Sequence, residues 1–379
     1  MAGLYIHIPF CKRKCGYCDF YSVASTAHAD RYVDCLLKEF DMRKSEISAA
    51  DVATLYLGGG TPSVLTIEQM AKLFDGLRER LSFDNISEIT VEVNPDDVSE
   101  VCMRGLAQMG VNRISMGIQS FVDAELKMVN RRHNAAEAIA AVEKIKDAGI
   151  GNLSIDLIYG LPGQTLDSWR HSLDCAVEMN VSHISAYCLS YEEGTALTKL
   201  RDMGRIKEAD EDLCVKMYGM LCHRLAAAGY EHYEISNFAR EEKYSHHNSN
   251  YWNGTPYLGL GAAAHSFDGA VRRYNPCDIK KYMETIENGS LACEAEEEEW
   301  WQRYNEMVMV GLRTMWGIKK TDISKRYGGD IADRFVEIAE KYVGGGRMAK
   351  NGDAYVLTEE GAMISDAIIR DLMIVPEAE

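Results

Sequence analysis

The sequence predicts an α/β protein: an incomplete, TIM-like (β/α)6 barrel followed by a mostly helical C-terminal domain with a winged-helix-like part. Two observations predict it. From Leu4 to about Ser190, short apolar runs alternate with longer amphipathic stretches, the pattern of parallel strands joined by helices through right-handed crossovers. Past Glu294 the pattern changes to helices and one short hairpin. A chain of 379 residues has room for two domains. The barrel is assigned to residues 1–230, a connecting region to 231–290 and the C-terminal domain to 291–379.

The expected strands are Leu4–Ile8, Thr54–Leu57, Glu88–Val93, Arg113–Gly117, Leu153–Ile158 and His183–Leu189. Between them, helical periodicity covers Ala27–Lys44, Thr66–Leu81, Ser99–Met109, Ala135–Ala148 and Leu166–Met179. Gly110 and Gly149 stand where helix C-caps belong. Glu208–Ala228 reads as a further helix and Tyr230–Ile235 as a strand, whereas Ser236–Asp268 has little periodicity. The charge run Glu294–Glu299 reads as a solvated helix start. Helices are then expected over Glu299–Thr314, Lys320–Tyr327, Ile331–Tyr342 and Glu359–Leu372. A hairpin turns at Asn351-Gly352, between Arg347–Lys350 and Ala354–Leu357.

Composition narrows the function. Hydrophobic residues make up 46% and charged residues 26%, as in a soluble globular chain. The net charge of −17, with no long basic run, argues against a nucleic-acid partner. No stretch has the roughly 18 consecutive apolar residues of a transmembrane segment, and Met1 to Phe10 lacks the features of a signal peptide. The expected location is therefore cytoplasmic, where thiols stay reduced. Eight of the eleven cysteines are scattered singly and read as small buried hydrophobes. Cys11, Cys15 and Cys18 are not scattered.

Unusual sequence follows each of five strands. After the first comes Pro-Phe-Cys-Lys-Arg-Lys-Cys-Gly-Tyr-Cys, and after the second Gly58-Gly59-Gly60-Thr61-Pro62. The third carries Glu92 and ends at Asn94-Pro95. The fourth leads to Ile118-Gln119-Ser120-Phe121, and the fifth contains Asp156. Reactive groups of β/α barrels gather at the C-terminal strand ends, so these segments predict one shared site. A structural zinc wants four N or S ligands, and no second cysteine knuckle is visible. Three thiolates in C-x3-C-x2-C suit a [4Fe–4S] cluster with one iron open. An amine and a carboxylate can fill that iron.

With Tyr17 before its last cysteine, this motif resembles the radical S-adenosylmethionine (SAM) superfamily, whose glycine motif Gly58–Pro62 resembles as well. The resemblance implies that Cys11, Cys15 and Cys18 hold the cluster and that Gly59, Gly60, Thr61 and Pro62 line the site of the SAM amine. Within the superfamily, Tyr5-Ile6-His7-Ile8-Pro9-Phe10-Cys11, Glu92-Val93-Asn94-Pro95, Ser115–Phe121, Asn130-Arg131 and Asp156–Pro162 resemble the oxygen-independent coproporphyrinogen III oxidases and the related HemW group. That likeness implies SAM contacts for Tyr5, Tyr17, Glu92, Gln119, Arg131 and Asp156. Carboxylates accept from ribose or amine, and a guanidinium pairs with a carboxylate. Taken singly, each could also be an ordinary strand-end polar group.

Three features favour the HemW branch. Asp19 and Phe20 follow Cys18, where the oxidases have a further cysteine two residues on. Tyr5 lies almost at the start, leaving no room for the oxidases' N-terminal arm. His247-Asn248-Ser249-Asn250-Tyr251-Trp252 resembles the H-N-x-x-Y-W pattern associated with heme in that group. The resemblance implies a heme chaperone with heme as cargo and His247, Asn248, Tyr251 and Trp252 as its contacts. His246 is not the motif position but could substitute. Heme-acceptor proteins, respiratory ones among them, and a heme donor protein are the implied partners, with peripheral attachment at the inner membrane compatible. SAM-cleaving machinery is implied, while coproporphyrinogen decarboxylation is not favoured.

Overall fold

The computed structural model describes residues 1–48 and 50–376. Strands β1 (Ala2–Ile8), β2 (Val52–Gly59), β3 (Glu88–Val93), β4 (Arg113–Gln119), β5 (Asn152–Tyr159) and β6 (His183–Cys188) are consecutive parallel neighbours. Between them run α1 (Ala29–Arg43), α2 (Ile67–Arg78), α3 (Glu100–Gln108), α4 (Asp123–Met128), α5 (Ala135–Asp147) and α6 (Leu166–Glu178). Their apolar sides and the strands build one core, with Leu4, Ile6, Leu36, Leu73, Val142 and Leu173 fully enclosed. Side-chain caps start two of these helices. Capping boxes at Thr66 and Asn134 each satisfy two end groups of α2 and α5. The partial barrel is the predicted fold.

The sheet is larger than six strands. After α7 (Ala196–Asp202) and α8 (Glu211–Ala227), β7 (Glu231–Glu234) and β8 (Asn237–Ala239) pair at the β6 edge. Helix α9 (His246–Asn253) follows, and then β9 (Tyr257–Leu260) runs parallel beside β1. β10 (His265–Phe267), β11 (Val271–Tyr274), α10 (Ile279–Glu287) and β12 (Glu294–Glu297) complete this part. The sheet order is β12-β11-β10-β9-β1-β2-β3-β4-β5-β6-β8-β7. The expectation of a helix start at Glu294–Glu299 is therefore corrected, because residues 294–297 are an edge strand. Arg272 lies opposite Glu296, and the Tyr274 hydroxyl donates to Glu294 at 3.0 Å. Charges on an outer strand discourage further pairing.

A buried polar knot ties β9 to the barrel. Glu39 on α1 accepts from Arg43 (3.1 Å), Asn275 (2.8 Å), the Gly261 N–H (2.8 Å) and Tyr282 (2.7 Å). Arg43 also donates to the Gly259 carbonyl, to Ser266 and to both oxygens of Glu46. Every polar group in the knot thus has a partner, as burial requires.

A second core holds the C-terminal elements: α11 (Trp300–Gly311), β13 (Ile318–Lys319), α12 (Lys320–Tyr327), α13 (Gly329–Gly344), β14 (Met348–Asn351), β15 (Ala354–Leu357), α14 (Glu359–Ala362) and α15 (Ser365–Leu372). Tyr304, Val308, Phe335, Ile368 and Leu372 are enclosed in it. The strands order as β13-β15-β14, and Gly352 takes φ +61° in the predicted turn. Among the described residues no helix is long and apolar enough to cross a membrane.

Candidate functional site

The C-terminal strand ends open into a cavity of about 520 Å³ lined by Cys11, Cys15 and Cys18. Two further segments, Val129-Asn130 after α4 and the start of α7, hold the cysteine loop in place. The Gly16 N–H donates to the Val129 carbonyl (3.0 Å), Asn130 donates to the Lys14 carbonyl (2.9 Å), and the Leu197 N–H donates to the Gly16 carbonyl (2.8 Å). Thr61 lies 3.4 Å from the Cys11 sulfur. Arg131 reaches the Cys15 sulfur at 3.2 Å and Asn94 at 2.8 Å, and also donates to the Gly117 carbonyl. Its Nε is buried without a partner among the described residues, a group left for an acceptor in the cavity. Burial pushes the Cys18 thiol up to about 11.

The glycine segment forms a close rim. A Cβ on Gly59, whose φ is +103°, would lie 2.4 Å from the His7 ring, and one on Gly60 would lie 2.7 Å from the Ile8 carbonyl oxygen. Only glycine permits this approach. Gly59, Gly60, Thr61 and Tyr17 line the cavity, whereas Pro62 is not among its lining residues. Gln119 lines it with φ +76° beside a register shift in β4, backbone strain of the kind found at functional positions.

Glu92 and Asp156 both line the cavity. Glu92 accepts from the Tyr56 hydroxyl at 2.7 Å and the Gly59 N–H at 3.1 Å. Ser115 is 3.5 Å from Asp156. Burial, and to a smaller extent the charge of Asp156, lifts Glu92 from 4.5 to about 7. Burial lifts Asp156 to about 6. A raised acid stabilises the ligand-free fold below its unfolded range near 4.5, and that contribution is lost as pH climbs through about 7. Glu92→Gln, neutral at every pH, should therefore raise the melting temperature of cluster-free protein at pH 8 and leave it little changed at pH 5. A differential scanning fluorimetry series checks this, and equal shifts at both pH values would contradict it.

Tyr5 sits beneath this wall instead of on it. Its hydroxyl is 3.0 Å from His7 Nδ1, and its ring neighbours Tyr56 and His247. The reason is α9, which packs on β1 and β2. Glu88 accepts the His246 and His247 N–H groups, each at 2.9 Å, a carboxylate at a helix N-terminus. His247 is 1% exposed and stacks on Tyr56 at 5.0 Å. Its Nδ1 meets Thr54 at 2.9 Å and its Nε2 meets the Tyr251 hydroxyl at 3.1 Å. Burial lowers its pKa to about 3. The sequence expectation placed His247 on a heme iron, yet neither ring nitrogen is open to a ligand in this conformation. Asn248 faces a small polar cavity with Arg113 and His183. Tyr251 and Trp252 line a second, larger cavity, and so does His246. Sequence reasoning missed Tyr56 and Glu88, which lie inside a strand or at its start with no motif to mark them, and it quoted Asn94 within Glu92–Pro95 without the role of holding Arg131.

A cysteine loop, a glycine rim and inward carboxylates at the strand ends of a partial barrel define a radical SAM protein. The Radical SAM superfamily model matches residues 5–176 and the HemN C-terminal domain model residues 300–364. The chain is 34% identical over 372 residues to heme chaperone HemW of Bacillus subtilis (strain 168), covering 97% of this chain and 98% of that one. It is also 34% identical to heme chaperone HemW of Mycobacterium tuberculosis (strain ATCC 25618 / H37Rv), covering 98% and 94%. Its fold matches coproporphyrinogen III oxidase (HemN) from Escherichia coli with a TM-score of 0.83 at 24% identity, covering 98% and 90%. The chain belongs to the HemW family of radical SAM proteins.

Proposed function

We propose that this protein is a heme chaperone that binds heme and transfers it to acceptor proteins, with a SAM-binding [4Fe–4S] cluster in its barrel. The observation that carries the reading is the single cavity joining Cys11, Cys15 and Cys18 to the glycine rim and to Glu92 and Asp156, in a chain alike to HemW over nearly its whole length. The donor set fits the group. Three thiols suit a cluster with an open iron, the glycine segment carries no side chain into the cavity, and the Arg131 Nε, buried without a partner among the described residues, offers a donor.

In this reading Cys11, Cys15 and Cys18 hold the cluster. Gly59, Gly60 and Thr61 border the SAM amine, Glu92 and Asp156 accept hydrogen bonds from amine or ribose, and Arg131 pairs with the carboxylate. Gln119 and Tyr17 close the walls, with Tyr17 against adenine. Tyr5 acts from beneath by positioning Tyr56, and Pro62 by setting the turn after the rim. When bound, the cluster supplies one-electron reductive cleavage of the SAM sulfonium.

Two assays on one anaerobically reconstituted preparation test the function. Added hemin should give a Soret band, and the heme should pass to apomyoglobin with its mass unchanged. Incubation with coproporphyrinogen III, SAM and a reductant should give no protoporphyrinogen. Protoporphyrinogen formation, or no heme uptake, would overturn the proposal.

A further inference from the structure

The small polar cavity that Asn248 faces shares a wall with the cysteine-lined cavity. Glu92, Ser115, Asp156 and Tyr187 line both. The inner cavity measures about 70 Å³, room for about two water molecules. Arg113, the first residue of β4, lines the inner cavity but not the outer one.

Arg113 is a buried charge, 2% exposed. Its Nη1 donates to Asn152 at 2.6 Å and to the Lys243 carbonyl at 3.4 Å. Among the described residues no hydrogen bond engages its Nε or Nη2, and no carboxylate pairs with it directly. A guanidinium enclosed without a counter-charge is unfavourable. Two carboxylates line the same cavity. Glu92 is already held by the Tyr56 hydroxyl and the Gly59 N–H, whereas Asp156 has Ser115 at 3.5 Å. Burial raises Asp156, and the charges of Arg113 and Arg131 oppose that rise. Arg131 is held by Cys15 and Asn94 and, in the proposed complex, by the SAM carboxylate. Arg113 has no such engagement.

On the reading that SAM binds in the barrel, we propose that Arg113 is a positioning residue for it. Through water in the inner cavity, Arg113 pairs with Asp156 and keeps that carboxylate charged to accept from the ribose or amine of SAM. Without this partner Asp156 takes up a proton more readily, and a neutral acid is the weaker acceptor. The other titratable groups at the inner cavity are Glu92, Tyr56, Tyr187 and His183. Burial raises both tyrosines and lowers His183, so of these four Glu92 alone also changes charge near neutrality.

Equilibrium dialysis of SAM against the anaerobically reconstituted full chain, across a pH series, tests the pairing. Wild-type binding should weaken as pH falls through the range in which Asp156 and Glu92 take up protons. Arg113→Gln should move the midpoint of this profile up by about one pH unit or more. Its Kd should be about fivefold above that of the wild type at pH 6 and within about twofold of it at pH 8.5. Arg113→Lys keeps the charge and should hold the midpoint within about half a unit of the wild type. In an Asp156→Asn background, Arg113→Gln should change Kd by less than about twofold at every pH. A midpoint that Arg113→Gln leaves in place, or an equal loss of affinity at every pH, would overturn the role of Arg113 while leaving SAM binding intact. A crystal structure of the wild type should show water bridging Arg113 to Asp156, and its absence would overturn the pairing even where Arg113→Gln fails to fold. A wild type that binds no SAM at any pH would overturn the SAM reading itself.

Discussion

Replacing Cys15 with alanine is expected to leave anaerobically reconstituted protein without a stable cluster, lowering bound iron from about four per chain to below one. Two thiolates do not hold a cubane that already lacks a fourth protein ligand. The loss should be specific to the cluster. The Gly16 and Lys14 backbone groups that tie the loop, the latter through the Asn130 side chain, are not touched by the substitution, and Cys15 is only half-buried. Circular dichroism and melting temperature should stay close to those of cluster-free wild type. Arg131 loses a sulfur acceptor at 3.2 Å but keeps Asn94 and the Gly117 carbonyl. Iron and sulfide analysis checks the prediction. Full iron content in the variant would mean that the three cysteines are not the ligand set.

The largest effect on stability is expected from Glu39→Ala. Glu39 and Arg43 are 0% and 1% exposed, so the substitution takes from a buried guanidinium one of its two carboxylates, leaving only the half-buried Glu46, and removes the acceptor of Asn275, Tyr282 and the Gly261 N–H at once. Breaking one side of a buried, hydrogen-bonded ion pair costs about 3–5 kcal/mol. Because the knot joins α1 to the turn after β9, the weakened region should be the β9–β10 edge. Urea unfolding measures the cost, and hydrogen exchange at Leu258, Gly259 and Leu260 locates it. Replacing Glu39 and Arg43 together should cost less than the sum of the two single changes, since both charges leave together. A cost for Glu39→Ala below about 1 kcal/mol would show that the ion pair is not buried as described.

Much of the barrel is legible because its elements carry clear periods. The six parallel strands and five crossover helices fall within a few residues of where apolar alternation and capping residues place them. The strands around β9 are not legible for a physical reason. Tyr257–Leu260 is a four-residue run amid glycines, and its place beside β1 is fixed by the distant Glu39 and Arg43. Glu294–Glu297 carries the composition of a solvated helix end, but its partners across the sheet, Arg272 and Tyr274, draw it into an edge strand. Local sequence does not encode such pairings. The cysteine loop and glycine rim were readable because each needs particular residue types at fixed spacing. His247 shows the limit of a motif: its spacing marks α9, while Glu88, Thr54 and Tyr56 decide which way its ring points.

Electron paramagnetic resonance of the reduced, anaerobically reconstituted protein, recorded without and with SAM, puts the heart of this account to the test. If three sulfurs leave one iron open beside Gly59, Glu92 and Arg131, SAM should alter the g values of the cluster signal, and Glu92→Gln should weaken the response. A [4Fe–4S] signal that saturating SAM leaves unchanged would contradict it.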